Sequence, residues 1–347
     1  MPPSGTEVPS FSVISGEQVS RVLHGQEKQI VELVDYAYRV HGVGDTVNPP
    51  SYFLKFEDRP SARIIALPAS VGGEVGVDGI KWISSFPENI ESGLPRASAV
   101  LILNDRDTGY PFACMESSII SAVRTAASAA LAADWLTRER GRPKRVGFIG
   151  TGLIARYIHT YLAGTGWEFD EIGIHDLSNE YAAGFENHLK DAGSTGRTVL
   201  HDSAESLIRN SDLVVFATVA GTPHVTSPAW FAHNPVVLHV SLRDLGPEVI
   251  KASSNFVDDV EHVLKANTSV HLVEQEVGNR YFINGTLHNV MTGMVKIPRD
   301  RPVVFSPFGL GVLDLTVAKH VYDELVASDG LHTVDGFFHE LSRHGKK

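Results

Sequence analysis

The sequence predicts an α/β protein built on a Rossmann-type, doubly wound parallel sheet, with a second region of mixed α+β character. Three observations predict it. From Lys144 onward, short apolar segments alternate with helical patterns. One of those segments runs directly into Gly150-x-Gly152-x-x-Ala155. Outside that stretch the alternation is missing, and strands and helices come in separate runs.

The chain has 347 residues, which corresponds to two domains at about 150 residues each. Hydrophobic residues make up 43% and charged residues 20%, an ordinary globular balance. Lys and Arg number 30 against 41 Asp and Glu, a formal charge of −11. That acidity argues against non-specific nucleic-acid binding and against a polybasic membrane anchor. The single Cys114 leaves no intramolecular disulfide and no Cys-cluster metal site, and fits a reducing, cytoplasmic compartment. Met1 to Ser10 is polar, so no signal peptide is expected. The longest apolar run, Leu213 to Gly221, is strand-sized and far short of the ~20 residues that span a bilayer.

In chain order, Ile30, Leu33, Val34 and Ala37 mark one helical face within the first forty residues. Tyr52–Phe56, Arg63–Pro68, Ile80–Ser84 and Ala97–Leu103 read as strands. Glu116 to Leu136 is rich in Ala and Ser and free of Gly and Pro, which predicts a long, closely packed helix. Arg138 to Pro143 is charged and ends in Gly and Pro, a reasonable boundary. Strands are then expected at Arg145–Ile149, Ile172–His175, Thr198–His201, Leu213–Thr218, Val236–Val240 and Asn255–Asp258. Around Val303 the pattern ends, and Leu310 to Val326 forms a last helix.

The glycine motif stands in its required context, with a strand before it and a helix after it. Gly150 allows the tight turn, Gly152 lets the backbone approach a pyrophosphate, and Ala155 allows close helix packing. The free N–H groups of Leu153 and Ile154 face the phosphates. Asp176 ends the next strand and is placed to accept the adenosine ribose hydroxyls, or else to cap a helix. No Arg follows it to hold a 2′-phosphate, so NAD is favoured over NADP.

Three cations sit in apolar or small-residue settings: Arg63, Lys81 and Arg124. Buried cations need partners. They form either structural ion pairs or a pocket for carboxylates. Asp244, in VSLRDLG, follows an apolar strand, where a doubly wound sheet opens its crevice. It is an acid/base candidate there, or a turn aspartate. The sixteen His show no metal-ligand spacing, and no metal is expected.

ARIIALPAS, IKWISSFPENI, GLPRASAVLILND, TGYPFACMESSIISAVRTAASA, the GTG loop and FGLGVLDL together resemble the ornithine cyclodeaminase/mu-crystallin family along most of the chain. The likeness is greater to the branch of N-(2-amino-2-carboxyethyl)-L-glutamate dehydrogenases, which make 2,3-diaminopropionate for siderophores and peptide antibiotics. The resemblance implies a substrate and dimerisation domain split over residues 1–137 and 304–347, with an NAD-binding domain at 138–303 between them. It implies a homodimer and a small amino-acid substrate. It implies that Arg63 and Lys81 hold carboxylate, that Arg124 and Thr125 lie where cofactor and substrate meet, and that Thr218 and Ser241 line NAD. Asp244 is then the acid/base candidate, paired with Lys81. Arg96 replaces the Thr common after GLP, Arg243 stands where small residues are usual, and Glu248 stands where Lys is frequent. Both added arginines suit a substrate with extra carboxylates. The water-activating glutamate of cyclodeaminases is unmatched, because the segment between Arg63 and Lys81 differs in length. The reaction implied is oxidative hydrolysis of the conjugate to 2,3-diaminopropionate and 2-oxoglutarate. Ornithine cyclodeamination, cyclic-imine reduction and non-catalytic ligand binding are the alternatives.

Overall fold

The computed structural model describes residues 9–339. Most of the polar leader Met1 to Ser10 therefore lies outside the described residues. The chain divides into two compact units. The first comprises Met1–Gln26, Val43–Ser121 and Gly311–Lys347, and the second Glu27–Gly42 and Ala122–Leu310. The expected cuts at 137/138 and 303/304 thus fall elsewhere. The helix Glu27–Gly42 groups with the second unit by packing on the helices Leu153–Gly164 and Leu287–Met291, and its buried Tyr38 hydroxyl finds Ser128 Oγ at 2.7 Å. His41 meets Asp259 at 3.2 Å in the same unit.

The first unit is built on β1 (Ser12–Ile14), β2 (Thr46–Val47), β3 (Tyr52–Lys55), β4 (Arg63–Val71), β5 (Val77–Ser85), β6 (Ala97–Asn104) and β7 (Pro111–Glu116). Neighbouring strands from β4 to β7 pair antiparallel in sequence order. The short strand His332–Thr333 closes the far edge against β1. β1 and β7 were not foreseen from the sequence; each is short or interrupted by small residues. The terminal helix Gly311–Ala327 lies across β4, β5 and β6. Gly79 makes that approach possible: a Cβ there would stand 2.2 Å from the Ile102 carbonyl and 2.9 Å from Leu315.

Lys81, in β5, is 1% exposed and points under this helix. Its ammonium lies 2.7 Å from Asp314 Oδ2 and 3.2 Å from Ser121 Oγ. Asp314 is fully buried. A charge so desolvated is tolerable only with its partner present. The pair joins residues 233 apart, and so ties the C-terminal segment to the N-terminal sheet.

The second unit holds an all-parallel sheet of β8 (Arg145–Ile149), β9 (Glu171–His175), β10 (Arg197–Leu200), β11 (Leu213–Phe216), β12 (Val236–His239), β13 (Ser254–Val257), β14 (Ile283–Thr286) and β15 (Val303–Ser306). The order is β10-β9-β8-β11-β12-β15-β13-β14. Its first five strands follow the Rossmann arrangement, which reverses direction between β8 and β11. The six expected strands are present, each within one or two residues of its expected bounds. The expectation that the pattern ends near Val303 is corrected. Val303–Ser306 is a fully buried strand between β12 and β13. Its four residues follow a polar, Pro-containing stretch, which hides a short interior strand from a periodicity reading.

The long helix is Ser118–Thr137. It meets the length and composition of a membrane span, where no such run was expected from the sequence, and 67% of its most apolar window is buried inside the protein. Ala126, Ala127, Ala129, Ala130, Ala132 and Ala133 are all buried, as close packing of small residues requires.

Two predictions follow from these interiors. Asp314→Leu strands the Lys81 ammonium and should cost about 3–5 kcal/mol. The double variant Lys81→Met/Asp314→Leu should regain most of that loss in urea unfolding; equal losses in both would show that the pair itself stabilises the fold. His159 is 3% exposed among Phe148, Phe185 and His188, with no partner for Nδ1. Burial, and secondly the nearby His188, holds its pKa down to about 4. The unfolded chain therefore binds this proton more tightly. The stability it contributes is full above about pH 6.5 and lost towards pH 4, by roughly 3 kcal/mol. His159→Leu should narrow the stability gap between pH 7 and pH 4.5, and an unchanged gap would exclude His159 as the sensitive group.

Candidate active site

In the first unit, alternation along the strands sets which side chains share a face. Leu67 pairs with Lys81 and Arg63 with Ser85. Arg63, Lys81 and Ser85 therefore stand on the same face of the sheet, with Lys81 four residues from Ser85, about 13 Å along the strand. Arg96 precedes β6 and reaches Ser85 Oγ at 3.4 Å. Burial, and secondly the positive charge of Arg63, pushes the Arg96 guanidinium below its usual range. Arg63, opposite Ser85 in the neighbouring strand, and Arg96, bonded to it, thus set two like charges around one serine, where they repel. A carboxylate between them relieves that repulsion through charge-assisted bonds. The sequence foresaw each cation but not the partner of Lys81. The available signal was Asp314, a carboxylate within the largely apolar first half of its helix, residues 311–318.

In the second unit the glycine loop joins β8 to the helix Leu153–Gly164. Gly150 has φ +79°, and a Cβ there would stand 2.7 Å from the Ala217 carbonyl. Only glycine fits this turn. A Cβ on Gly152 would meet nothing within 4 Å, so the space before the helix is open. Gly152 is also the helix N-cap and supplies no side-chain acceptor, which leaves the first N–H groups for a ligand. Ala155 is fully buried against the sheet. Asp176 Oδ2 accepts from Thr151 N–H and Thr151 Oγ1, both at 2.8 Å, and Oδ1 accepts from Ser178 N–H at 2.9 Å. Asp176 thus braces the glycine loop, while Ser178 caps the next helix. Leu153, Leu177 and Val219 are 62%, 99% and 78% exposed around the carboxyl ends of β8, β9 and β11. Such apolar side chains in water are positioned to flank a flat ligand.

Asp244 lies at the carboxyl edge of the same sheet and is fully buried. Thr218 Oγ1 donates to its Oδ1, and Ser241 Oγ to its Oδ2. His224 Nε2 lies 3.1 Å from Oδ1 and His239 Nε2 3.2 Å from Oδ2. Burial raises the carboxyl's pKa, but hydrogen bonds from His224, His239 and Ser241 and the His239 charge outweigh it, and Asp244 is held well below the usual carboxylate range. His239 Nε2 also lies 3.1 Å from Asp244 N, and Nδ1 lies 3.2 Å from Ser306 Oγ. Its Nε2–H tautomer donates to the carboxylate, whereas its Nδ1–H tautomer donates to Ser306. Leu242, between Ser241 and Asp244, has φ +72°, a strained conformation for a branched residue. Sequence reasoning missed His224 and His239, because their partner is reached only through the fold.

Arg243 turns its guanidinium to the Ala266 carbonyl, at 2.8 and 3.1 Å, and so fastens two loops. Arg124 lies against Gly309, where a Cβ would stand 2.6 Å from Nη1. Thr125 follows it on the same helix, half-buried. Cys114 is half-buried in β7, and burial pushes its thiol upward, away from reactivity. Among the described residues no group of three or more His, Cys, Asp or Glu has a metal-holding arrangement.

The N-((2S)-2-amino-2-carboxyethyl)-L-glutamate dehydrogenase of Staphylococcus aureus is 29% identical over 313 residues, covering 86% of this chain and 91% of that one. The crystal structure of CmnK superposes with a TM-score of 0.82 at 30% identity, over 96% of this chain and 100% of that one. The Δ1-pyrroline-2-carboxylate reductase of Thermococcus litoralis, solved with NADH and L-proline, gives a TM-score of 0.83 at 25% identity, over 93% and 100%. The sequence profile of the ornithine cyclodeaminase/mu-crystallin family matches residues 17–329, and the chain belongs to that family.

Proposed function

We propose that the protein is an NAD-dependent dehydrogenase that oxidises N-(2-amino-2-carboxyethyl)-L-glutamate. The conjugate, NAD⁺ and water give 2,3-diaminopropionate, 2-oxoglutarate, NADH and one proton. The glycine turn at Gly150, the open space before Gly152 and the N–H groups of Leu153 and Ile154 fit a dinucleotide pyrophosphate. Asp176 offers its carboxylate to the ribose, with Thr218 and Ser241 farther along the same sheet edge. The absence of an Arg directly after Asp176 favours NAD over NADP. NAD bound there would supply the hydride acceptor.

The observation that carries the substrate is that Arg63, opposite Ser85 on the next strand, and Arg96, bonded to Ser85 Oγ, flank one serine. The conjugate has three carboxylates. A cyclodeaminase or cyclic-imine reductase acting on a monocarboxylate has no use for a second cationic site. Arg63 and Arg96 bind and orient the carboxylates, while the Lys81 ammonium is taken up by Asp314 and Ser121. Asp244, with His224 and His239, belongs to the proton-transfer machinery of the second unit. Arg243, bound to Ala266, shapes the loop that carries Asp244.

The family's homodimer also has a counterpart in sequence register. Tyr52, Ala66, Trp82 and Val100 lie in one row across β3 to β6, and Tyr52, Trp82 and Val100 are 72%, 41% and 44% exposed. An apolar row of this kind on an outer sheet face fits association with a second copy.

The conjugate with NAD⁺ should raise absorbance at 340 nm and yield 2,3-diaminopropionate and 2-oxoglutarate in equal amounts. Arg96→Met should raise KM about 10- to 150-fold, the loss of one charge-assisted contact of ~1.5–3 kcal/mol, and leave NAD binding intact. Conversion of ornithine to proline and ammonia, with the conjugate inert, would overturn the reading.

A further inference from the structure

The proposed reaction releases one proton for each hydride transferred, and that proton must leave the site. Asp244 is badly placed to carry it outward. Its carboxylate is fully buried, and both oxygens are filled by Thr218, Ser241, His224 and His239. The four groups packed on its oxygens leave no face of it open to substrate or solvent. Of the two imidazoles, His239 is itself fully buried, whereas the His224 side chain is 43% exposed. The backbone aligns the pair as well: His224 N–H donates to the Asp244 carbonyl at 3.0 Å, and Val225 N–H to the same oxygen at 2.9 Å. With Nε2 held by the carboxylate, Nδ1 is the ring's remaining proton-exchanging atom.

We propose that His224 is the outward-facing acid/base of this site and that Asp244 is its positioning residue. The inference rests on the dehydrogenase reading and refines the part Asp244 plays in it. The carboxylate fixes the ring through Nε2 and stabilises the imidazolium formed when Nδ1 takes a proton from the substrate amine or from the attacking water. His224 then passes that proton to solvent, so no proton is retained and no further reactant is needed. The low pKa of Asp244 suits this role, since a carboxylate that stays ionised is the counter-charge an imidazolium needs. His239 and Ser306 hold the far side of the carboxylate and keep it from turning. Imidazole is the side chain suited to proton exchange near neutral pH.

His224→Ala should keep NADH binding, measured by fluorescence, and KM close to the parent's, while kcat falls about a hundredfold or more. Millimolar imidazole should restore part of that kcat. Asp244→Asn should also lower kcat, but imidazole should not rescue it. The double variant should be little worse than either single one, because the two residues act as one unit. Turnover of His224→Ala within twofold of the parent, or loss of NADH binding in it, would overturn the proposal. The same comparison is run with ornithine plus NAD⁺ and with Δ1-pyrroline-2-carboxylate plus NADH. If only one of these reacts, the substrate reading fails while His224 is still tested. No turnover with any of the three would count against both readings.

Discussion

The buried pair Lys81–Asp314 is the interaction on which the first unit depends. A sheet made of residues from the first third of the chain and a helix made of residues 311–327 have no covalent reason to meet. The apolar faces of β4 to β6 and of the helix drive the contact. Apolar contact alone is non-directional and tolerates sliding. An ammonium and a carboxylate, both nearly sealed from water and 2.7 Å apart, do not. Shifting the helix by one turn would strand both charges at a cost of several kcal/mol. The pair therefore fixes register more than it adds stability. In doing so it sets where Arg63, Lys81 and Ser85 stand on their common face.

The second unit follows a different constraint. Its parallel sheet gathers the carboxyl ends of β8, β9, β11, β12 and β15 along one edge. Gly150, Asp176, Thr218, Asp244 and Ser306 all lie at or just beyond those ends. Thr218, His224, His239 and Ser241 surround one carboxylate, and Leu242, between Ser241 and Asp244, is in a left-handed conformation. Strain of that kind persists only where surrounding contacts over-determine it. A cavity or a flexible loop would not hold an aspartate so fully committed, and this is what shifts the proton-exchanging role outward to His224.

Much of this was legible in the sequence, and the failures have physical reasons. β8 with its glycine loop was readable because every signal in it is local: an apolar run, a turn only Gly allows, and a helix pattern. The cations Arg63, Lys81 and Arg124 stood out because charge in an apolar run is costly. Asp314 did not, since an ion pair spanning 233 positions has no spacing rule. The four-residue β15 has too few positions to show a period. His224 and His239 were lost among sixteen histidines, because a ring nitrogen becomes informative only when the fold places an acid beside it. The grouping of Glu27–Gly42 with the second unit rests on helix packing far along the chain, which composition does not record.

If the two arginines that flank Ser85 read a polycarboxylate, the hydride comes from the glutamate α-carbon of the conjugate. The most direct measurement uses conjugate carrying deuterium at that carbon, with the nicotinamide and amino-acid products analysed by mass spectrometry. The account predicts one deuterium in the reduced cofactor and none in 2-oxoglutarate or 2,3-diaminopropionate. Deuterium retained in an amino-acid product, with unlabelled NADH, would contradict it.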